Sequence, residues 1–92
     1  MNIKKQIPSI FAQMPYLELK GNRELLLEGC KGILEYTTET IRINTGTIVL
    51  VILGRNLNLK CLSQTGLIVD GFIMSIEFVS WGEHIWWTFL DG

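Results

Sequence analysis

The chain of 92 residues is poor in the residues on which much of the chemistry of small proteins depends. It contains two cysteines, two prolines and one histidine, and charged residues make up only 18% of it. A single cysteine pair is too little for the disulfide framework of a small secreted domain, so reduced thiols in a cytoplasmic setting are the simpler interpretation. A structural zinc site needs four ligands at recognisable spacing, which these residues do not supply. We therefore expect no metal and no other cofactor.

Basic residues are few and scattered, and no long apolar segment is present. The eight Lys and Arg residues form no run longer than Lys4-Lys5, and the net charge is −1. Nucleic-acid-binding proteins need a basic footprint, so nucleic acid is not an expected partner. The longest uninterrupted apolar run is residues 48–53, whereas a membrane-spanning helix needs about 20 apolar residues. We expect no transmembrane segment, and no small-molecule substrate is evident.

The sequence is instead rich in apolar residues (48%) that alternate with polar ones in short stretches. A first hairpin is predicted around Gly21-Asn22, a residue pair suited to a tight turn. Asp70-Gly71 predicts a bulge or sharp bend inside the last strand. The predicted strands are residues 16–20, 23–29, 33–37, 40–45, 47–53, 57–62 and 67–79. No helical segment is long enough for a parallel crossover. The sequence therefore predicts an all-β fold, an antiparallel meander of six to seven short strands forming a roll or small sandwich.

Three segments are predicted along the chain. Residues 1–14 form a short N-terminal helical arm, because their apolar residues recur at helical spacing. Residues 15–79 form the β domain, and residues 80–92 form an aromatic C-terminal tail. Within the domain, residues 47–53 are apolar on both faces. That strand is therefore either central in the sheet or covered by the N-terminal arm. The residues that define the helical spacing are Ile3, Ile7, Ile10 and Met14.

Alternation also predicts which side chains of the later strands share a face. Cys61 follows Leu57 and Leu59 at intervals of two, so it is predicted to be a small core residue. In the last strand a second set is predicted to lie on one face, with the intervening polar residues pointing away. That set comprises Phe72, Met74, Ile76 and Phe78.

Cys30 is the one candidate nucleophile that its surroundings single out. It sits between Gly29 and Gly32 and directly before Lys31, whose charge could activate a thiol. A cysteine nucleophile also needs a base, and the only histidine is His84, in the tail. No helix N-terminus follows Cys30, so we favour an architectural role in which the glycines let the chain turn between strands. The chain is predicted not to be an enzyme.

The tail contains the candidate interaction residues. Adjacent aromatic side chains most commonly fold back as a cap on the sheet. They can also anchor a protein interface, where tryptophan is enriched, or lie at the boundary between membrane and water. No basic residues flank them, so the membrane alternative ranks third. The residues concerned are Trp81, Trp86, Trp87 and Phe89.

Several motifs occur in a specific order over residues 14–79. They are Gly21-Asn22 with Glu24-Leu25, KGILEYT at 31–37, IRI at 41–43, GRNL at 54–57, GFI at 71–73 and IEF at 76–78. In order and spacing they resemble the YabP/YqfC family of sporulation proteins of endospore-forming Firmicutes. The chain departs from that family at two places. Glu28-Gly29-Cys30 stands where members usually have Glu-Asn-His, and the aromatic tail extends past the point where members commonly end.

The resemblance implies a role and assigns no reaction. Members are small, non-enzymatic β proteins made during spore formation, some of them linked to coat or envelope assembly, and no catalytic residues carry over. The implied partners are a second copy of the chain or a sporulation membrane or coat protein. The implied location is the mother cell or the forespore surface. The alternative is a small β ligand-binding or regulatory module, with an apolar pocket under Trp86 or Trp87.

Overall fold

A computed structural model of the protein describes residues 15–80, and all regular secondary structure in this range is β. The predicted all-β antiparallel fold is confirmed. The range 15–80 contains no helix long and apolar enough to span a membrane. The predicted N-terminal arm lies outside the described residues, as do residues 81–92 of the predicted tail. The strands are β1 (Tyr16–Lys20), β2 (Glu24–Glu28), β3 (Gly32–Tyr36), β4 (Thr40–Asn44), β5 (Ile48–Cys61) and β6 (Gly66–Ser80).

The six strands form one antiparallel sheet in the order β1-β2-β6-β5-β4-β3. Strands β3 to β6 follow one another as a meander, and the β1–β2 hairpin joins at the outer side of β6. The strands are not all short, because β5 has 14 residues and β6 has 15. Residues 47–53 and 57–62, predicted as separate strands, both lie in β5. Over residues 15–80 the sheet therefore has six strands, the lower of the two predicted numbers.

Strands β5 and β6 bend at neighbouring points where their backbones approach closely. At Gly54 in β5 an added Cβ would overlap the carbonyl oxygen of Phe72 in β6. Gly71 has a φ of +128°, in the region that favours glycine. The pairing of β5 with β6 shifts register on both sides of this crossing. The bend predicted from Asp70-Gly71 is thus confirmed.

The bends divide the sheet into two halves. The first half contains β1, β2, residues 57–61 of β5 and residues 66–70 of β6. The second half contains β3, β4, residues 48–53 of β5 and residues 72–80 of β6.

A hairpin turn binds to each bend and completes its hydrogen bonding. Bulged strands leave some ladder N–H groups without a partner on the neighbouring strand. The turn of β1–β2 accepts two such bonds from β6, and the turn of β3–β4 accepts two from β5. The bonds run from Gly71 N to Arg23 O (3.1 Å), Ile73 N to Asn22 O (2.7 Å), Gly54 N to Glu39 O (3.0 Å) and Leu57 N to Thr38 O (2.8 Å). Each half of the sheet is therefore tied to the bend of the long strand beside it.

The core lies between the two halves. The main cluster unites residues of β2, such as Leu25, with residues of β4, such as Ile41, so the halves face each other across it. Burying each of these side chains contributes about 1.5–3 kcal/mol. The ten buried members are Leu25, Leu27, Ile41, Ile43, Leu50, Ile52, Leu57, Leu67, Val69 and Ile73. This arrangement agrees with the predicted roll or small sandwich.

Strand β5 lies between β4 and β6 in the second half, and residues 49–52 are buried on both faces of the sheet. Leu50 and Ile52 belong to the main cluster. Val49 and Val51 alternate with them and form a second buried cluster with Val79 on the opposite face of the sheet. The segment therefore lies between two neighbours, as the first of the two alternatives predicts; the arm of the second alternative lies outside the described residues.

The prediction that Cys61 is a core residue is wrong. Leu57 is buried and Leu59 packs against the main cluster, but Cys61 is exposed. Cys61 is the last residue of β5 and adjoins the exposed loop at 62–65, so the strand has run past the core at this point. Alternation alone identifies a face of a strand and does not show where the core ends along it.

Candidate interaction surface

Two strand edges in the second half have no neighbour among residues 15–80, the outer edge of β3 and one side of β6. Residues 72–79 of β6 pair with β5 on one side. Strand β2 pairs with β6 only over residues 66–70, and no other described strand lies on that side. We call the outer side of residues 72–79 the β6 free edge; at its start the Ile73 N–H donates to Asn22 O of the β1–β2 turn, and from residue 74 onward no described backbone group pairs with it. An unpaired edge presents N–H and C=O groups with which a further strand can pair.

The β6 free edge carries large exposed apolar side chains. Met74 and Phe78 are each 59% exposed and Phe72 is 44% exposed. Ile76 lies between Met74 and Phe78 and packs against the main cluster. Phe78 is opposite Leu50 in β5, so Phe78 and Ile76 point to the core-facing side of the sheet. Met74, Ile76 and Phe78 therefore form an apolar row along the strand, which leads from the core to the protein surface.

The prediction that Phe72 shares a face with Met74, Ile76 and Phe78 is wrong. Leu53 pairs with Ser75 and the next residue, Gly54, pairs with Ile73. Met74, between these two partners, is therefore an extra residue in β6. Past this bulge the alternation is displaced by one position. Ile73 therefore enters the main cluster, while Phe72 lies opposite the exposed Arg55.

The other outer strands are protected in ways that the β6 free edge is not. Strands β1 and β3 have five residues each. Strand β1 carries Glu18 and Lys20, and β3 carries Glu35 next to a bulge. Short length and charge discourage pairing between edges, whereas a bulge, which the β6 free edge also has at Met74, does not distinguish the two. Residues 72–79 contain one charged residue, Glu77, and no Lys, Arg or Pro.

A side chain covers the corresponding edge in the first half. Residues 57–61 of β5 form that edge, and Tyr36 of β3 reaches it. The Tyr36 hydroxyl donates to Asn58 Oδ1 (3.1 Å) and accepts from the Leu59 N–H (3.0 Å). Among residues 15–80 no side chain makes a hydrogen bond of this kind to the backbone of residues 72–79. Among the described residues, the β6 free edge is the counterpart that no side chain covers.

Tyr36→Phe is expected to lower the free energy of unfolding by about 1 kcal/mol, since it removes the hydroxyl that satisfies the Leu59 N–H. Urea denaturation measures the loss, and hydrogen exchange should show faster exchange of the Leu59 amide. Tyr16→Phe is the control, because Tyr16 is 59% exposed. An unchanged Leu59 exchange rate would contradict the role given to Tyr36.

The two cysteines lie at the end of the fold remote from the bends, and the contacts of Cys30 there are those of a structural residue. Cys30 packs against the main cluster. The amides of Gly29 and Cys30 both donate to the Thr65 carbonyl, at 3.0 and 2.9 Å, and Gly29 has a φ of +110°. The turn predicted at Gly29 is thus present. Gly32, predicted to help the chain turn, is instead the first residue of β3.

Two cavities bounded by residues 15–80 lack the character of a ligand pocket. Cys30 and Cys61 line one of about 200 Å³, below the ~300–1,000 Å³ usual for ligand sites. A cleft of about 390 Å³ at the β5 bend is lined by exposed residues, Thr38, Glu39, Arg55 and Asn56. Residues 15–80 contain no group of three or more potential metal ligands.

The residues chosen from the sequence as interaction candidates lie outside the described range. These are Trp81, Trp86, Trp87 and Phe89, and the same holds for His84. The site that sequence reasoning missed is the β6 free edge. Its signal was a long apolar strand with one charge and no proline, but only the strand order shows that the edge is unpaired.

Comparison with known proteins supports the resemblance seen in the motifs. A family model described as the YabP family matches residues 12–84, a range that includes all six strands. No match was found among curated proteins or among solved structures. The matched region contains both bends and the β6 free edge, and the family associates the chain with sporulation. The chain belongs to the YabP family.

Proposed function

We propose that this chain is a non-enzymatic sporulation protein that acts as a structural or assembly factor in spore envelope or coat formation. It acts through protein–protein contacts. The observation that carries the proposal is the β6 free edge, with Met74 and Phe78 each 59% exposed, in a member of the YabP family. An exposed apolar strand edge is a recurrent binding surface for extended protein segments.

The surroundings of Cys30 support a role without catalysis. The thiol packs against the core, and its backbone is held by the loop at 62–65. A nucleophile would need a base within hydrogen-bond reach, and residues 15–80 contain no histidine. The proposed function relies on recognition by backbone groups and apolar side chains and gives Cys30 a structural place.

The proposed partners are a second copy of the chain or a sporulation membrane or coat protein. A strand added to the β6 free edge gains main-chain hydrogen bonds, and its alternate side chains contact the apolar row. The proposed place of action is the mother cell or the forespore surface. A membrane protein there could present an extended segment to the edge without the chain itself crossing a membrane.

A fluorescent fusion to the full chain, imaged through growth and sporulation in its native host, tests the proposal. The signal is expected only during sporulation and gathered around the forespore. Phe78→Lys places a charge in the apolar row and is expected to make the signal diffuse. Leu34→Lys is the matched control, because Leu34 is 42% exposed in β3, and should keep the forespore pattern.

A diffuse signal of the unchanged fusion in growing cells would contradict the sporulation role. Forespore localisation that survives Phe78→Lys would show that the β6 free edge is not the contact. Western blots of each strain show whether the variants accumulate to the same level.

A further inference from the structure

We infer that the β6 free edge pairs with the same edge of a second copy of this chain, antiparallel and centred on Ile76. This inference rests on the proposed function, since it names a partner for the same contact surface. It joins the second halves of two copies into one continuous sheet. The register of the edge, its side chains and its single charge support this pairing.

The strand register limits which residue can lie at the centre of such a pair. A two-fold axis perpendicular to the sheet keeps each residue on its own face, and directly opposed residues of antiparallel strands share a face. Each residue must therefore lie opposite a residue of the second copy whose number differs from its own by an even amount. A centre at Ile76 places Ile76 opposite itself and Met74 opposite Phe78 of the second copy.

This register covers the exposed apolar row. Met74 and Phe78 are the two most exposed apolar residues of the edge, and each would contact the other across the pair. Phe78 presents an aromatic ring and Met74 a flexible thioether, a combination that packs favourably. The row would extend from one core to the next through Ile76, which already packs against the main cluster.

The single charge of the edge favours the same centre. Glu77 is the only charged residue in 72–79. A centre at Glu77 would place two carboxylates directly opposite each other, which is unfavourable. With the centre at Ile76, Glu77 is opposite Ser75 of the second copy. Ser75 faces away from the core row, so this contact leaves both polar side chains on the outer face.

Sedimentation equilibrium of the purified full chain over a wide concentration range tests the dimer. The unchanged chain is expected to show a monomer–dimer equilibrium. Phe78→Lys is expected to weaken the dimer at least about tenfold, because it places a charge in the apolar contact on both sides. Leu34→Lys, on the outer strand at the opposite side of the sheet, should leave the equilibrium unchanged.

Two substitutions at Ser75 test the register. Ser75→Asp places a carboxylate opposite Glu77 of the second copy and is expected to raise the dimer Kd roughly 2- to 30-fold, since each contact occurs twice. Ser75→Lys places an ammonium group there and should lower the Kd. Circular dichroism and urea denaturation of both variants show whether each monomer is folded.

A monomeric chain at all concentrations overturns the inference, and so does a dimer that Leu34→Lys abolishes and Phe78→Lys leaves intact. Ser75 variants that shift the Kd in the same direction overturn the centre at Ile76. These results are distinct from those for the proposed function. A monomeric chain that still gathers at the forespore through Phe78 would leave that function standing with a different partner.

Discussion

Gly54→Ala is expected to lower the free energy of unfolding by about 3 kcal/mol, a large share of the stability of a small domain. The new Cβ would overlap the Phe72 carbonyl oxygen and lie 2.9 Å from Leu57 Cδ2. The Phe72 oxygen belongs to the backbone of β6 and has little freedom to move. The Gly54 N–H is bonded to the Glu39 carbonyl at 3.0 Å, so β5 cannot shift away without losing that bond.

Gly32→Ala is the matched control for Gly54→Ala. An added Cβ at Gly32 meets no heavy atom within 4 Å, and the residue has no positive φ. The change is expected to be neutral or to stabilise by about 0.5 kcal/mol through the unfolded state. Urea denaturation of both variants measures the difference. Equal stabilities would mean that β5 and β6 do not approach each other closely at the bend.

Leu50→Ala is expected to lower the free energy of unfolding by about 2–5 kcal/mol. Leu50 is fully buried in the main cluster, and the two halves of the sheet pack on each other around it. Its neighbours include β4 and β6, which are held in register by backbone hydrogen bonds and cannot collapse into the space left by the lost methyl groups.

Leu34→Ala controls for the loss of a leucine from a strand. Leu34 is 42% exposed in β3, so its truncation is expected to cost less than about 1 kcal/mol. Thermal unfolding followed by circular dichroism compares the two variants. Similar losses for Leu50→Ala and Leu34→Ala would contradict a core located between the halves.

Local sequence predicted most strands of this fold because each stretch alternates and is bounded by turn residues. Asp70-Gly71 also marked the bend in β6, since a glycine before a strand continuation is a local signal. The companion bend in β5 was not predicted, because the sequence predicts two separate strands, residues 47–53 and 57–62, on its two sides. Residues 54–56 lie between two predicted strands, and only the hydrogen bonds to Thr38 and Glu39 show why β5 continues through them.

The candidate site could not be predicted, because its defining property is the absence of a neighbour. Whether residues 72–79 are central or outer depends on strand order, and the pairing of β2 with the first part of β6 is a long-range choice. The bulge at Met74 also displaces the alternation, so the sequence assigns Phe72 to the wrong face. Periodicity gives the pattern of one strand and not the identity of its neighbours.

The hydroxyl of Tyr36 has a consequence for the size of any assembly. Two copies joined through identical edges form a closed, isologous pair, whereas chains with two different adhesive edges add head to tail without limit. Tyr36 occupies the edge of β5 that would otherwise be a second adhesive site. Strands β1 and β3, the other outer strands of residues 15–80, are short and carry charges. With the β5 edge occupied, isologous pairing through β6 would end growth at two copies. A filament would require a second contact of another kind.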